Sequence, residues 1–280
     1  MRDRIGLVLE GGGMRGIYTA GVLDVFMDNG ILFDGVIGVS AGAIHGSTYV
    51  AGQRGRNIRY YKKYCTDKRM MSYRNLILTG NIVDPKFCYH TLPDRLDPYD
   101  YDAFQRSAME FYVTCSNVET GKPEYIRINN IKEEVDAVRA SASLPFLSKI
   151  VPFQGMKLLD GGYTDSIPIE KFRKLGFTKN VVVLTQHDGY VKQPEYVKKA
   201  RRVYRKYPEF AEAIAQRHVM YNRTLAKIRE LEALGDVFVI RPSEELTIGH
   251  IVNDPEKLQQ VYDVGVRDAK ERLDDMRNWI

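Results

Sequence analysis

Ser40 stands at the centre of Gly38-Val39-Ser40-Ala41-Gly42, a G-x-S-x-G pattern that closes the apolar run 36–39. Small residues on either side let the chain turn sharply from a strand into a helix and leave the serine raised at the helix N-terminus. Earlier in the chain, Gly11-Gly12-Gly13-Met14-Arg15-Gly16 follows another apolar run, Ile5–Leu9. Three consecutive glycines are more than a tight turn requires, since each adds backbone entropy to be lost on folding. They make sense where backbone N–H groups must face a developing negative charge near a helix N-terminus. A third element, Asp160-Gly161-Gly162, sets a carboxylate at the end of a short apolar stretch. A serine oxygen, a set of N–H donors and a carboxylate able to take a proton are the parts needed for acyl transfer.

Each part has a second reading. Gly11, Gly13 and Gly16 also satisfy the G-x-G-x-x-G dinucleotide fingerprint. That reading wants an acidic residue at the end of the second strand, and Asp34 precedes it instead. A silent or nucleotide- or anion-binding module is therefore the alternative to an enzyme. G-x-S-x-G also occurs in ordinary turns, but here it lies 27 residues after Gly13, a distance suited to a βαβ unit of roughly 30 residues. Asp-Gly is first of all a turn dipeptide, and on spacing alone Asp160 reads as one. A carboxylate can serve as the serine's base if burial raises its pKa.

Histidine is the usual base, and the chain has five: His45, His90, His187, His218 and His250. His45 lies five positions into the helix that Ser40 opens, so its side chain points away and packs or faces solvent. His218 falls within a long charged helix. His187 follows the strand 180–186 at its carboxyl end and is kept in reserve.

The elements that must position these groups follow from periodicity. Apolar runs at Ile5–Leu9, 36–39, 110–118, 157–159, 180–186 and 237–240 read as strands, with 124–128 pairing back on 110–118 as a hairpin. Helical patterns cover 17–27, 41–51, 131–142, 169–175, 195–207, 208–234 and 255–277, and 53–64 reads as a basic, tyrosine-rich surface helix. Residues 68–102, with Pro85, Pro93 and Pro98, read as an irregular excursion with short helices. Strands alternating with helices predict an α/β fold, with a mostly parallel central sheet covered on both faces. No repeat or linker divides residues 1–280, so a single domain is expected.

The net charge of +5, from 41 basic and 36 acidic residues, is too mild to demand nucleic acid. Cys65, Cys88 and Cys115 are widely spaced and in no metal-ligand pattern, which predicts reduced thiols and a cytoplasmic setting. No signal peptide is expected from Met1-Arg2-Asp3-Arg4 and the short run after it. No apolar stretch approaches the ~20 residues of a membrane-spanning helix. Residues 197–207 are the most basic stretch, with Val197, Ala200, Tyr204 and Tyr207 on one helical face. Peripheral contact with an anionic membrane is one reading of it; an apolar stripe facing the core is the favoured one.

The three motifs, in this order, resemble the signatures of patatin-like phospholipases. Ala140-Ser141-Ala142-Ser143-Leu144-Pro145, Asp165 and Pro168 match as well, so that the resemblance spans about residues 5–190. It implies a three-layer α/β/α sandwich and a lipid acyl hydrolase working through a Ser–Asp dyad without histidine, metal or cofactor. By position, Ser40 is the nucleophile and Asp160 its base. The N–H groups of Gly11, Gly12, Gly13 and Ala41 form the oxyanion hole, and the substrate is a lipid or other acyl ester. Arg15, Gly16, Gly38, Gly42, Gly161 and Gly162 support the site. Glu10 departs from the family, in which Asp is frequent before the glycines. The C-terminal part 191–280 is a helical extension; its Gly249-His250-Ile251 resembles bacterial members.

Overall fold

The computed structural model describes residues 3–249 and 251–280; Met1, Arg2 and His250 lie outside the described residues. The chain begins with β1 (Ile5–Leu9), α1 (Gly16–Asp28), β2 (Gly35–Val39) and α2 (Ala41–Val50). α3 (Arg56–Tyr64), α4 (Tyr73–Thr79), a π-helix over Phe87–Leu96 and α5 (Tyr101–Arg106) lead to the hairpin of β3 (Glu110–Asn117) and β4 (Pro123–Ile128). Next come α6 (Val135–Ser141), the hairpin of β5 (Val151–Phe153) and β6 (Met156–Asp160), α7 (Ile169–Lys174) and β7 (Lys179–Val183). The chain ends with α8 (Val197–Val203), α9 (Pro208–Ala233), β8 (Val237–Ile240), α10 (Pro255–Glu271) and α11 (Leu273–Trp279).

Strands β3, β2, β1, β7 and β8 pair in parallel in that order, and β4, β5 and β6 add antiparallel neighbours at the β3 end. Alternate strand residues feed opposite layers, as the pleat dictates. Leu7, Leu9, Val36, Val113, Val181 and Val183 pack with α1, α2, α6 and α10 on one face. Val8, Ile37, Tyr112, Val182 and Val239 pack with α7 and α9 on the other. The result is an α/β/α sandwich whose central sheet is mixed, with a parallel majority. Among the described residues no helix is long and apolar enough to cross a membrane.

Several segments depart from the expectations. Residues 53–64 do not form a surface helix: in α3, Arg56, Asn57, Tyr60 and Tyr61 are buried. The helix expected over 131–142 starts only at Val135, because the Glu134 carboxylate accepts the N–H groups of Asn129 and Asn130. The expected helix 195–207 is the short α8, preceded by Tyr196 at φ 58°. Its apolar stripe faces the core, with Ala200 and Tyr204 packed on Val118, Leu159 and Phe210. Residues 255–277 divide into α10 and α11 at Arg272. β5 has too few residues to show a period of its own and exists as the partner of β6.

The register around β3 decides where two strand ends meet. Val39, the last residue of β2, lies opposite Thr114. The next residue, Cys115, pairs with Glu124 of β4 on one edge and with Asp160 of β6 on the other. β6 therefore occupies the same edge of β3 that β2 has just left. The carboxyl ends of β2 and β6 meet head to head along one strand, with Ser40 following one and Asp160 ending the other.

Candidate active site

Ser40 sits in a backbone conformation that L-residues rarely adopt, φ 55° and ψ −120°. Such a conformation is worth roughly 1–3 kcal/mol of strain and persists only where the surroundings fix it. The fixing contacts are close. A Cβ on Gly38 would stand 2.5 Å from the Gly42 carbonyl, and one on Gly42 would stand 2.5 Å from the Leu9 carbonyl. The Ser40 N–H donates to Ser141 Oγ at 2.9 Å, and that hydroxyl donates to the Thr114 carbonyl at 2.7 Å. The elbow is thus pinned to α6 and β3 together.

Ser40 Oγ donates to Asp160 Oδ2 at 2.6 Å. The other carboxylate oxygen, Oδ1, accepts the Gly162 N–H at 2.8 Å, and the Asp160 N–H donates to the Ser143 carbonyl at 2.9 Å. Gly161 is held against β3, where a Cβ would stand 2.2 Å from the Thr114 carbonyl. Asp160 is only 2% exposed. Burial pushes its carboxyl above the usual range, while Ser40, the Gly162 N–H and the Arg217 guanidinium favour the charged form.

The glycine loop lies against the elbow. A Cβ on Gly11 would stand 3.1 Å from Ser40 Cβ, and Gly13, at φ 56°, faces open space. Gly11 and Gly12, in neither helix nor strand, donate none of the described backbone hydrogen bonds. Ala41 opens α2, where the first N–H groups have no intrahelical carbonyl. Gly16 lets α1 approach α2, since a Cβ there would stand 2.5 Å from that of Ala41. Beneath the loop, the buried Glu10 accepts the Thr185 N–H at Oε2 and the Tyr221 hydroxyl at Oε1, both at 2.6 Å. Thr185 Oγ1 in turn donates to the Gly11 carbonyl at 3.2 Å. Burial raises the Glu10 carboxyl; among the groups opposing this is the nearby Arg15 charge.

A cavity of about 160 Å³ opens beside Ser40. Gly13, Met14 and Ala41 line it near the serine; Tyr60, Leu92 and Val138 are among the side chains farther along its wall. Much of the wall comes from α3 and the 68–102 excursion, which give it Tyr61, Met70, Met71, Val83, Tyr89 and Tyr99.

The histidines stay apart from this centre: among the described residues, none hydrogen-bonds to Ser40 or Asp160. His45 is fully buried, its ring 5.8 Å from that of Tyr61, and burial pushes its pKa down to about 4. His187 lies beyond β7 with its ring 6.2 Å from Tyr190. His90 is exposed, and half-buried His218 places Nδ1 3.1 Å from the Ala215 carbonyl. Among the described residues no group of His, Cys, Asp and Glu could hold a metal ion.

Two residues next to the site carried no motif. Arg217 Nε donates to the Gly162 carbonyl at 2.6 Å, and its guanidinium lies 4.3 Å over the Tyr163 ring. One turn further along α9, Tyr221 reaches Glu10. This i, i+4 spacing puts both on one face of the helix, and it is the only sequence signal they leave.

A family model described as patatin-like phospholipase matches residues 7–173. The chain belongs to this family. A second model, described as a domain of unknown function, matches residues 207–280, so both Arg217 and Tyr221 lie outside the patatin-like match. Among relatives, the uncharacterized protein YjjU of Escherichia coli is 31% identical over 204 residues, covering 71% of this chain and 57% of that protein. Lysophospholipase nte1 of Aspergillus terreus is 29% identical over 180 residues, 61% of this chain and 11% of that protein. The chain thus spans little more than half of one relative and about a tenth of the other. VipD from Legionella pneumophila aligns with 98% of this chain and 67% of its own at 13% identity and a TM-score of 0.48.

Proposed function

We propose that the chain is a serine acyl hydrolase of lipase or phospholipase A type that cleaves acyl esters of lipids. One observation carries this reading: a strained serine donates a 2.6 Å hydrogen bond to a buried carboxylate at the wall of a largely apolar cavity. The carboxylate's raised pKa suits a proton acceptor better than an ordinary surface aspartate would.

Asp160 takes the Ser40 proton as Oγ bonds to the acyl carbon. The carbonyl oxygen becomes an oxyanion, which the N–H groups of Gly11, Gly12, Gly13 and Ala41 receive. Collapse of the tetrahedral intermediate breaks the ester bond, and the proton on Asp160 passes to the departing alcohol. Water then attacks the acyl-enzyme, giving its proton to Asp160, and the fatty acid leaves as Ser40 regains a proton. Arg15, one residue past Met14, adds positive potential beside the loop. The cavity receives the acyl chain. We read residues 1–280 as one unit, which the pairing of β8 with β7 and the seating of α10 on α1 support. The free thiols of Cys65, Cys88 and Cys115 favour a reducing, cytoplasmic setting.

The test is covalent labelling by a fluorophosphonate, which Ser40 Oγ attacks at phosphorus with loss of fluoride. Intact mass and peptide mapping of wild type, Ser40→Ala and Asp160→Ala are expected to give one adduct, on Ser40, slowed at least 100-fold without Asp160. Folded wild-type protein that stays unlabelled would remove the hydrolase reading and leave the glycine loop as an anion-binding site.

A further inference from the structure

Helix α4 is built inside out. Its polar Asn75 is buried, with Nδ2 donating to the Lys68 carbonyl at 2.6 Å. Ser72 Oγ caps its first turn by accepting the Asn75 N–H at 3.1 Å. Gly80, at φ 76°, closes its last turn by donating to the Leu76 carbonyl at 2.9 Å. Tyr73, Ile77 and Leu78 meanwhile face outward, 65%, 83% and 65% exposed. A surface helix of a globular protein ordinarily does the reverse. Caps at both ends and a buried amide show that this short helix is held in place, so the outward apolar face belongs to the fold.

Its position gives that face a use. Met70 and Met71 just before α4, and Val83 just after it, line the cavity that holds Ser40. Met71 and Val83 are themselves partly exposed, so α4 is carried between two cavity-lining segments that also reach solvent. The flanking charge is positive: Arg69 is paired with Asp67, and the exposed Lys68, Arg74, Lys86 and Lys149 outnumber Asp84. Lys149 packs directly against the end of α4, its side chain beside Gly80.

We infer that α4 is the element that seats the protein on a lipid surface, with Tyr73, Ile77 and Leu78 entering the apolar layer of an anionic membrane. The flanking cations meet the headgroups, and the cavity mouth is brought to the substrate. The use of the cavity rests on the hydrolase reading; the seating itself does not. This assigns membrane contact to α4, whereas the apolar stripe of α8 is spent on the core.

The experiment is co-sedimentation with phosphatidylglycerol/phosphatidylcholine vesicles, run beside hydrolysis of the vesicle lipid and of soluble p-nitrophenyl butyrate. The proteins are wild type, Ile77→Glu/Leu78→Glu and, as a control, Leu234→Glu, which alters a single exposed apolar residue elsewhere. The double variant is expected to lose vesicle binding and vesicle hydrolysis at least tenfold while keeping kcat/KM for the soluble ester within twofold. Leu234→Glu changes none of these. Wild-type binding should weaken as salt rises. Equal vesicle binding by wild type and the double variant, or no binding by wild type, overturns the inference. So does a wild-type dimer in sedimentation velocity that the double variant abolishes, because a second copy then covers the face. If wild type binds vesicles through α4 but hydrolyses neither substrate, the hydrolase reading falls and the seating stands.

Discussion

Replacing Arg217 by methionine tests whether α9 takes part in catalysis from outside the patatin-like segment. Arg217 holds the Gly162 carbonyl at 2.6 Å, and the N–H of the same residue holds Asp160 Oδ1 at 2.8 Å. The arginine therefore acts on Asp160, the proposed base, through one glycine. A charged hydrogen bond is generally worth about 1.5–3 kcal/mol. The Gly162 carbonyl also accepts Ser166 Oγ at 2.7 Å, so it is not orphaned by the change and the lower end applies. About 1.4 kcal/mol on the barrier is a tenfold loss of rate. The lost cation adds a second effect, because it favours ionised Asp160; without it the carboxyl rises further. The base form is then lost at a higher pH, and the acid limb of the pH–rate profile moves upward. Rates of fluorophosphonate labelling and of soluble ester hydrolysis, measured from pH 5 to 9, should show kcat down about tenfold with KM unchanged. Arg217→Lys, which keeps the charge, should restore the limb more fully than the rate. A profile that scales down without moving, or a change confined to thermal stability, would refute the electrostatic part of this reasoning.

Tyr221→Phe removes the hydroxyl that Glu10 Oε1 accepts, leaving that buried oxygen without its 2.6 Å donor. Calorimetry should register a destabilisation of about 1–3 kcal/mol, with slower Ser40 labelling at unchanged KM as the glycine loop loses its support. Asp160→Asn should act in the opposite direction on stability. The folded pKa of Asp160 is raised by burial, so the native state holds this proton more tightly than the unfolded chain. The stability it contributes is complete below the unfolded value and is lost as pH rises through the folded one. At neutral pH the neutral asparagine should therefore raise Tm, by about 2–4 °C for each kcal/mol gained, while labelling is abolished. The difference between the two proteins should vanish in acid. An unchanged or lower Tm at pH 7 would contradict a burial-driven shift.

What is legible in the sequence is what local sterics enforce. Gly38 and Gly42 are required by carbonyls that a Cβ would strike, and Gly161 by the backbone of β3. Such constraints leave short, recognisable spacings, and Ser40 and Asp160 are found at the two ends of them. Their meeting depends on something no spacing records: β3 outruns β2 by enough residues for β6 to pair on the same edge. The tyrosine-rich segment 53–64 reads as a surface helix because its charges look solvated. In the fold Asp97, 41 positions beyond Arg56, takes both Arg56 and Arg59, so that Tyr60 and Tyr61 turn inward to wall the cavity.

The C-terminal helices are legible as helices but not as parts of a site. Arg217 and Tyr221 touch residues 55 and 211 positions away in the chain, and on a charged helix neither stands out. Yet one helix face reaches both halves of the proposed site. Arg217 holds the glycine whose N–H orients Asp160, the proposed base, and Tyr221 holds the Glu10 carboxylate beneath the glycine loop. On the opposite side of the sheet, α10 lies so close to α1 that a Cβ on Gly265 would stand 2.1 Å from the Tyr18 carbonyl. α1 is the helix that comes after the glycine loop, and Gly16 sets its first residue against Ala41. Residues 207–280 thus hold the glycine loop from both faces of the sheet and Asp160 from one. A segment so placed would be expected to tune the rate and pH range of the reaction without contributing a group that touches the substrate.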